Sequence, residues 1–100
     1  MTQEQEFKEY LETIIQMTCG FKPEVKATEF ATGTIQALLF GTQEQQALMM
    51  GRGGKTINAI SRLALIFGKR HNFFPYVYVR RRNQVDDNLA ETLATGKFLE

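Results

Sequence analysis

The chain has 100 residues, 43% of them hydrophobic, which is enough for one compact domain with a single core and too little for two. No run of about 18 or more apolar residues occurs, and Met1-Thr2-Gln3-Glu4-Gln5-Glu6 is polar and acidic, not a basic stretch followed by an apolar one, so the expectation is a soluble, cytoplasmic protein with no membrane partner. A net charge of +1 says little by itself, while a lone Cys19 with a lone His71 excludes a disulfide framework and an ordinary zinc site.

Phe7, Leu11, Ile14 or Ile15 and Thr18 recur at helical spacing, which predicts an amphipathic helix over about 4–18 with Gly20 as its stop. After Pro23, the alternating Glu24-Val25-Lys26-Ala27-Thr28-Glu29-Phe30 reads as a strand. Ala31-Thr32-Gly33 reads as a turn and Thr34-Ile35-Gln36-Ala37-Leu38-Leu39-Phe40 as a second strand, the two forming an antiparallel hairpin. Gly41 breaks that strand. Thr42-Gln43-Glu44-Gln45 is a capping-box pattern, in which the hydroxyl accepts from the Gln45 amide and the Gln45 side chain reaches back, and it opens a short helix over about 43–50. Gly51 ends it.

A further helix begins within a few residues, since Ile57, Ile60, Leu63 or Ala64 and Phe67 again keep helical spacing, and it closes between Gly68 and His71. Phe73-Phe74-Pro75-Tyr76-Val77-Tyr78-Val79-Arg80 is the strongest strand signal, with Pro75 assigning it to a sheet edge or to the strand's start. Phe74, Tyr76 and Tyr78 share one side of it, and Phe73, Val77 and Val79 the other. If the valines face the helices, the tyrosines beside Leu38 and Phe40 form a second apolar surface for a dimer or another partner, the alternative being a strand buried under the C-terminal tail. That tail, residues 85–100, predicts a short helix over 87–94 and ends in Leu99-Glu100, which reads as a cloning remnant. The domain itself spans residues 1–84, in the order α-β-β-α-α-β.

Charge is distributed unevenly along this order. Residues 51–82 hold Arg52, Lys55, Arg62, Lys69, Arg70, Arg80, Arg81 and Arg82 and no carboxylate, whereas all eleven acidic residues lie outside the segment. Such a map is the electrostatic footprint of a polyanion partner, although any single cation of the set serves as well as part of a solvated face.

At the head of that segment stands Met49-Met50-Gly51-Arg52-Gly53-Gly54-Lys55-Thr56, which superficially resembles a nucleotide-binding loop. A G-x-x-x-x-G-K-[ST] loop needs a glycine where Met49 stands and a strand before it, and here a capped helix precedes it; nucleotide hydrolysis is rejected. What is left is a glycine-rich turn between two helices, where bare main chain and the start of a helix suit a phosphate and Arg52 and Lys55 add charge. A helix-turn-helix that reads duplex DNA with Asn58, Arg62, Leu65 and Lys69 is the minority reading, because such turns seldom need three glycines and strands flank this helix pair.

Met50-Gly51-Arg52-Gly53-Gly54-Lys55-Thr56-Ile57-Asn58-Ala59-Ile60 resembles the signature of KH domains, an apolar residue and G-x-x-G followed by a helix with apolar residues at 57 and 60. The surrounding order is similar to the type II arrangement of that family, and the size to small bacterial RNA-binding proteins made of a single KH domain. The resemblance implies an α+β fold with a three-stranded sheet packed against three helices. It also implies a loop that clamps the backbone of about four nucleotides of single-stranded RNA, or in some members DNA, with no cofactor. By position, Gly51, Arg52, Gly53 and Gly54 form the clamp, Met50, Ile57 and Ile60 line or support an apolar floor for the bases, and the last strand supplies the opposite wall. The Arg-Gly pair departs from the many members that carry two side chains there, one or both basic.

Arg52 and Lys55 are the phosphate contacts of this reading, with Arg62 and Arg80 extending the path and Lys69 equally a solvated cation. No nucleophile and base pair is evident, so no enzyme activity is expected. The expected function is single-stranded RNA binding with low sequence specificity, in a post-transcriptional or RNA-chaperone-like role. A second copy or another RNA-binding protein would supply the remaining affinity. The competing class is a protein-interaction module that uses the apolar sheet face.

Overall fold

The first two helices begin on the same device. In the computed structural model, which describes residues 2–81, Thr2 caps α1 (Gln3–Cys19): its hydroxyl accepts from the Gln5 amide at 3.1 Å while the Gln5 side-chain oxygen accepts from the Thr2 amide at 3.1 Å. Thr42 and Gln45 repeat the exchange at the head of α2 (Gln43–Met50), at 3.2 and 3.0 Å. Arg82, the domain boundary at 84, the expected helix over 87–94 and Leu99-Glu100 lie outside the described residues.

Helix α1 buries Phe7, Leu11 and Ile15, one residue per turn along a single stripe, and stops at Gly20, whose left-handed conformation (φ 87°) lets its amide donate to Gln16 O. Strands β1 (Glu24–Ala31) and β2 (Thr34–Gly41) form the expected antiparallel hairpin around Thr32-Gly33, with one bulge between Glu29 and Ala31. A one-turn 3-10 segment (Arg52–Gly54) separates α2 from α3 (Lys55–His71), and Asn72 turns the chain into β3 (Phe74–Arg81).

Strand β3 lies beside β2 and parallel to it, so the sheet order is β1-β2-β3 and the sheet is mixed. A parallel neighbour requires a crossover, which α2 and α3 provide, and it leaves β3 at an edge, where Pro75 removes no needed ladder bond. The strand begins at Phe74, not at the expected Phe73. Phe73 is buried in the turn, its amide donating to Gly68 O at 2.9 Å. Gly68 permits this closeness, since a Cβ there would stand 2.5 Å from Phe73 O and 3.0 Å from the Pro75 ring.

The helices α1, α2 and α3 cover one face of the sheet. Ile35, Ala37 and Leu39 of β2 and Val25 of β1 meet Phe7, Leu11, Ile15, Met49, Ile60 and Ala64, with Val77 and Val79 packed against them. Phe7 and Phe73 add an edge-on ring contact at 5.1 Å. Each fully buried side chain of this size contributes about 1.5–3 kcal/mol relative to exposure. The opposite face holds a separate cluster of Leu38 and Phe40, with Tyr78 against them. The valines of β3 therefore face the helices and its tyrosines face outward. No helix among the described residues is long and apolar enough to cross a membrane.

Candidate functional site

The chain between α2 and α3 is short of side chains and held by main-chain bonds. Gly51 ends α2 with its amide on Ala47 O at 2.9 Å, and its φ of 74° and ψ of 170° suit glycine alone. A Cβ at Gly51 would collide with Thr56 Oγ1 and stand 2.8 Å from the Thr56 amide nitrogen, so this glycine lets the end of α2 rest directly on the first turn of α3. Gly54 donates to Gly51 O at 3.1 Å and Lys55 to Arg52 O.

Gly53 and Gly54 both hold positive φ, 63° and 77°, and around Gly53 there is open space. Bare backbone here is therefore not a demand of packing. The amides of Arg52 and Gly53 find no acceptor among the described residues. Helix α3 begins at Gly54 with no side-chain cap and no acidic residue in its first turn, and the side chains of Arg52 and Lys55 are exposed beside it. The arrangement offers amide donors, the positive end of a 17-residue helix and two cations to one external anion.

Two hollows flank α3. Ser61 and Leu65 border a cleft of about 290 Å³ with Phe74, Pro75, Tyr76, Val77 and Tyr78 of the edge strand. On the other flank, Lys55, Thr56, Ala59, Ile60 and Leu63 border one of about 210 Å³ with Ile14 and Thr18 of α1. A further depression of about 800 Å³ along α1 is lined by residues such as Lys8, Glu9, Glu12 and Lys22; it is a solvated helix face of mixed charge with no convergent groups.

The expected site residues divide accordingly. Gly51, Arg52, Gly53, Gly54 and Lys55 are brought together at the head of α3, with Met50 exposed beside them. Ile57 is half-buried against the core and Ile60 is 3% exposed, so both support the surface from beneath. Arg62 is exposed further along α3, as are Asn58, Leu65 and Lys69. Arg80 is not with this group. It lies on the outward face of the sheet, its guanidinium 5.1 Å from the Tyr78 ring centre and its Nη1 donating to Val79 O at 3.0 Å. Ser61 and Leu65 were missed as cleft residues, although they follow Ile57 at successive steps of four, a readable signal for a shared helix face.

No group of three or more metal-ligating side chains occurs among the described residues. Cys19 is half-buried at the end of α1, its Sγ 3.6 Å from Leu48 O, and burial pushes the thiol's pKa up, away from reactivity at neutral pH. His71 stacks on Phe67 at 4.1 Å, with Nδ1 2.9 Å from Phe67 O and Nε2 3.6 Å from Glu6, and so closes the end of α3 against α1. A scan against protein-family models finds no match to the chain, and a search of curated proteins finds none either.

Proposed function

We propose that the chain is a single-stranded RNA-binding domain of the type II KH kind, which grips the sugar-phosphate backbone at residues 51–54. The observation that carries this reading is the start of α3. Of the three α-helix starts among the described residues, it alone lacks a side-chain cap, and it presents two free amides with Arg52 and Lys55 beside them. A phosphodiester supplies the missing acceptor, and glycine side chains do not hold it away.

From there the strand follows the cleft between α3 and the edge of β3. Met50 and Leu65 offer apolar surface to the bases, and Ile57 and Ile60 support that surface from the core side. Ser61 stands about 10 Å along the helix from Gly54, a distance set by the helical rise. Phosphate contacts carry no base information, which accounts for low sequence specificity and fits a post-transcriptional or RNA-chaperone-like role. One such grip is weak, and a second copy or another RNA-binding protein raises it by effective concentration. The reading needs no cofactor and no catalytic group.

Affinity for a single-stranded RNA, measured across salt concentrations beside a duplex DNA of equal length, tests the proposal. Neutralising about three phosphates gives a slope of log K against log salt of roughly −2 for the RNA. A slope near zero contradicts a backbone grip. Tighter binding of the duplex favours instead the helix-turn-helix reading, for which the exposure of Asn58, Arg62, Leu65 and Lys69 on α3 is the supporting observation.

A further inference from the structure

Two rings of the edge strand connect the cleft beside α3 to the outward face of the sheet. Phe74 and Tyr76 line the cleft opposite Ser61 and Leu65, and by alternation along β3 they share the outward face with Tyr78. The Phe74 and Tyr76 ring centres lie 5.2 Å apart, and Phe30 of β1 stands 6.0 Å from Tyr76 across the same face. Phe30, Phe74 and Tyr76 are 45%, 52% and 40% exposed. One exposed aromatic residue is ordinary, whereas three in contact on a sheet face form an apolar platform that suits a ligand.

The cations on the facing helix choose the occupant. Lys55, Arg62 and Lys69 recur at steps of seven, which keeps them on one exposed stripe of α3, and residues 51–81 hold no carboxylate. Among the described residues, no hydrogen bond or ion pair engages the side chains of Arg52, Lys55, Arg62 or Lys69. A ligand that meets free cations and flat apolar rings together is a polyanion with unpaired bases. A duplex keeps its bases stacked inside and offers none to a ring, whereas a single strand carries a phosphate and an open base face at every nucleotide. We infer that single-stranded RNA held at residues 51–54 runs along the cleft, crosses the edge of β3 and stacks bases on Phe74, Tyr76 and Phe30. Leu65 lies about 16 Å along the helix from Gly54, by the helical rise. A clamp and cleft of this kind hold about four nucleotides, so the platform takes those beyond.

Stacking on this platform rests on the backbone grip at residues 51–54, and the test separates the two. Single-stranded RNAs of four and eight nucleotides are titrated against the full chain and its variants F74L/Y76L and Y76F, each at several salt concentrations. For the eight-nucleotide RNA, F74L/Y76L is expected to bind about tenfold or more weakly through loss of two stacking rings, with a salt slope that stays at the parent's roughly −2. The four-nucleotide RNA, which the cleft alone holds, is expected to bind parent and variant within about twofold, and Y76F keeps the parent's affinity for both RNAs because its ring remains. An eight-nucleotide affinity that F74L/Y76L leaves unchanged overturns the platform and leaves its rings to a protein partner. An equal fall for both lengths confines the rings to the wall of the cleft and overturns it as well. A parent slope near zero contradicts the grip itself, and the platform with it. Nuclear Overhauser contacts between base protons and the Phe74 or Tyr76 ring in the parent complex give an independent reading, and their absence at saturation contradicts the stacking.

Discussion

Thr2 and Thr42 close the amino ends of their helices from within, each by an exchange of two hydrogen bonds with a glutamine three residues on. The head of α3 does the opposite: Gly51, Gly53 and Gly54 hold positive φ, no side chain caps the helix, and a lysine stands in the first turn, where it opposes the dipole. A good cap stabilises a helix by about 1 kcal/mol. Helix α3 forgoes that stabilisation and is held instead by burial of Ile60, Ala64 and Gly68 against the sheet. On the proposed reading, the difference is how a fold keeps one helix start free for an external anion. Local stability is given up only where packing further along the helix compensates.

The largest change to this contrast comes from charge at the bare start. R52D/G53D removes one cation and adds two anions, and RNA affinity is expected to fall at least about a hundredfold, roughly 2.7 kcal/mol, by titration of a labelled RNA. The far-ultraviolet circular dichroism of this variant should match the parent, because Arg52 is exposed, the space around Gly53 is open and aspartate is among the residues that tolerate its left-handed φ of 63°. Gly51→Ala attacks the loop's architecture instead. The clash with Thr56 and the unfavourable φ together should cost about 2–3 kcal/mol in urea unfolding, and RNA affinity should fall with the disturbed loop.

At the capped starts the pattern reverses. Thr42→Ala should lower unfolding free energy by about 1 kcal/mol and leave the RNA titration unchanged. Lys55→Glu should show the smallest effect on stability and the most telling sign. Favourable charge at the helix start adds about 0.5 kcal/mol of stability in urea unfolding while RNA binding weakens. Loss of stability in that variant would show that Lys55 has a structural partner and is not held there for an anion.

Much of the fold was legible because its signals are local. The four-residue stripe of Phe7, Leu11 and Ile15, the capping box at Thr42 and the glycine stops at 20 and 51 lie within one or two turns of what they determine. The loop was legible for the same reason, since three glycines and two cations are adjacent in sequence. The parallel pairing of β3 with β2 was not, because pairing partners 40 residues apart, such as Thr34 and Phe74, are chosen by packing of the helices between them. Alternation in β3 separated Tyr78 and Arg80 from Val77 and Val79 but left open which set meets the helices. Arg80 was therefore grouped with the loop cations by charge alone, whereas its side chain lies across the sheet from them. The burial of Leu38 and Phe40 depends on contacts beyond the strand that carries them, and no pattern within β2 encodes it.

The central claim is that the free amides at the head of α3 are there for a backbone phosphate. Amide chemical shifts, followed while unlabelled single-stranded RNA is added to the isotope-labelled full chain, test it most directly. The account predicts large shifts at Arg52, Gly53 and Gly54 and none at the capped amides of Gln5 and Gln45. Saturation by RNA that leaves Arg52 and Gly53 unmoved would contradict it.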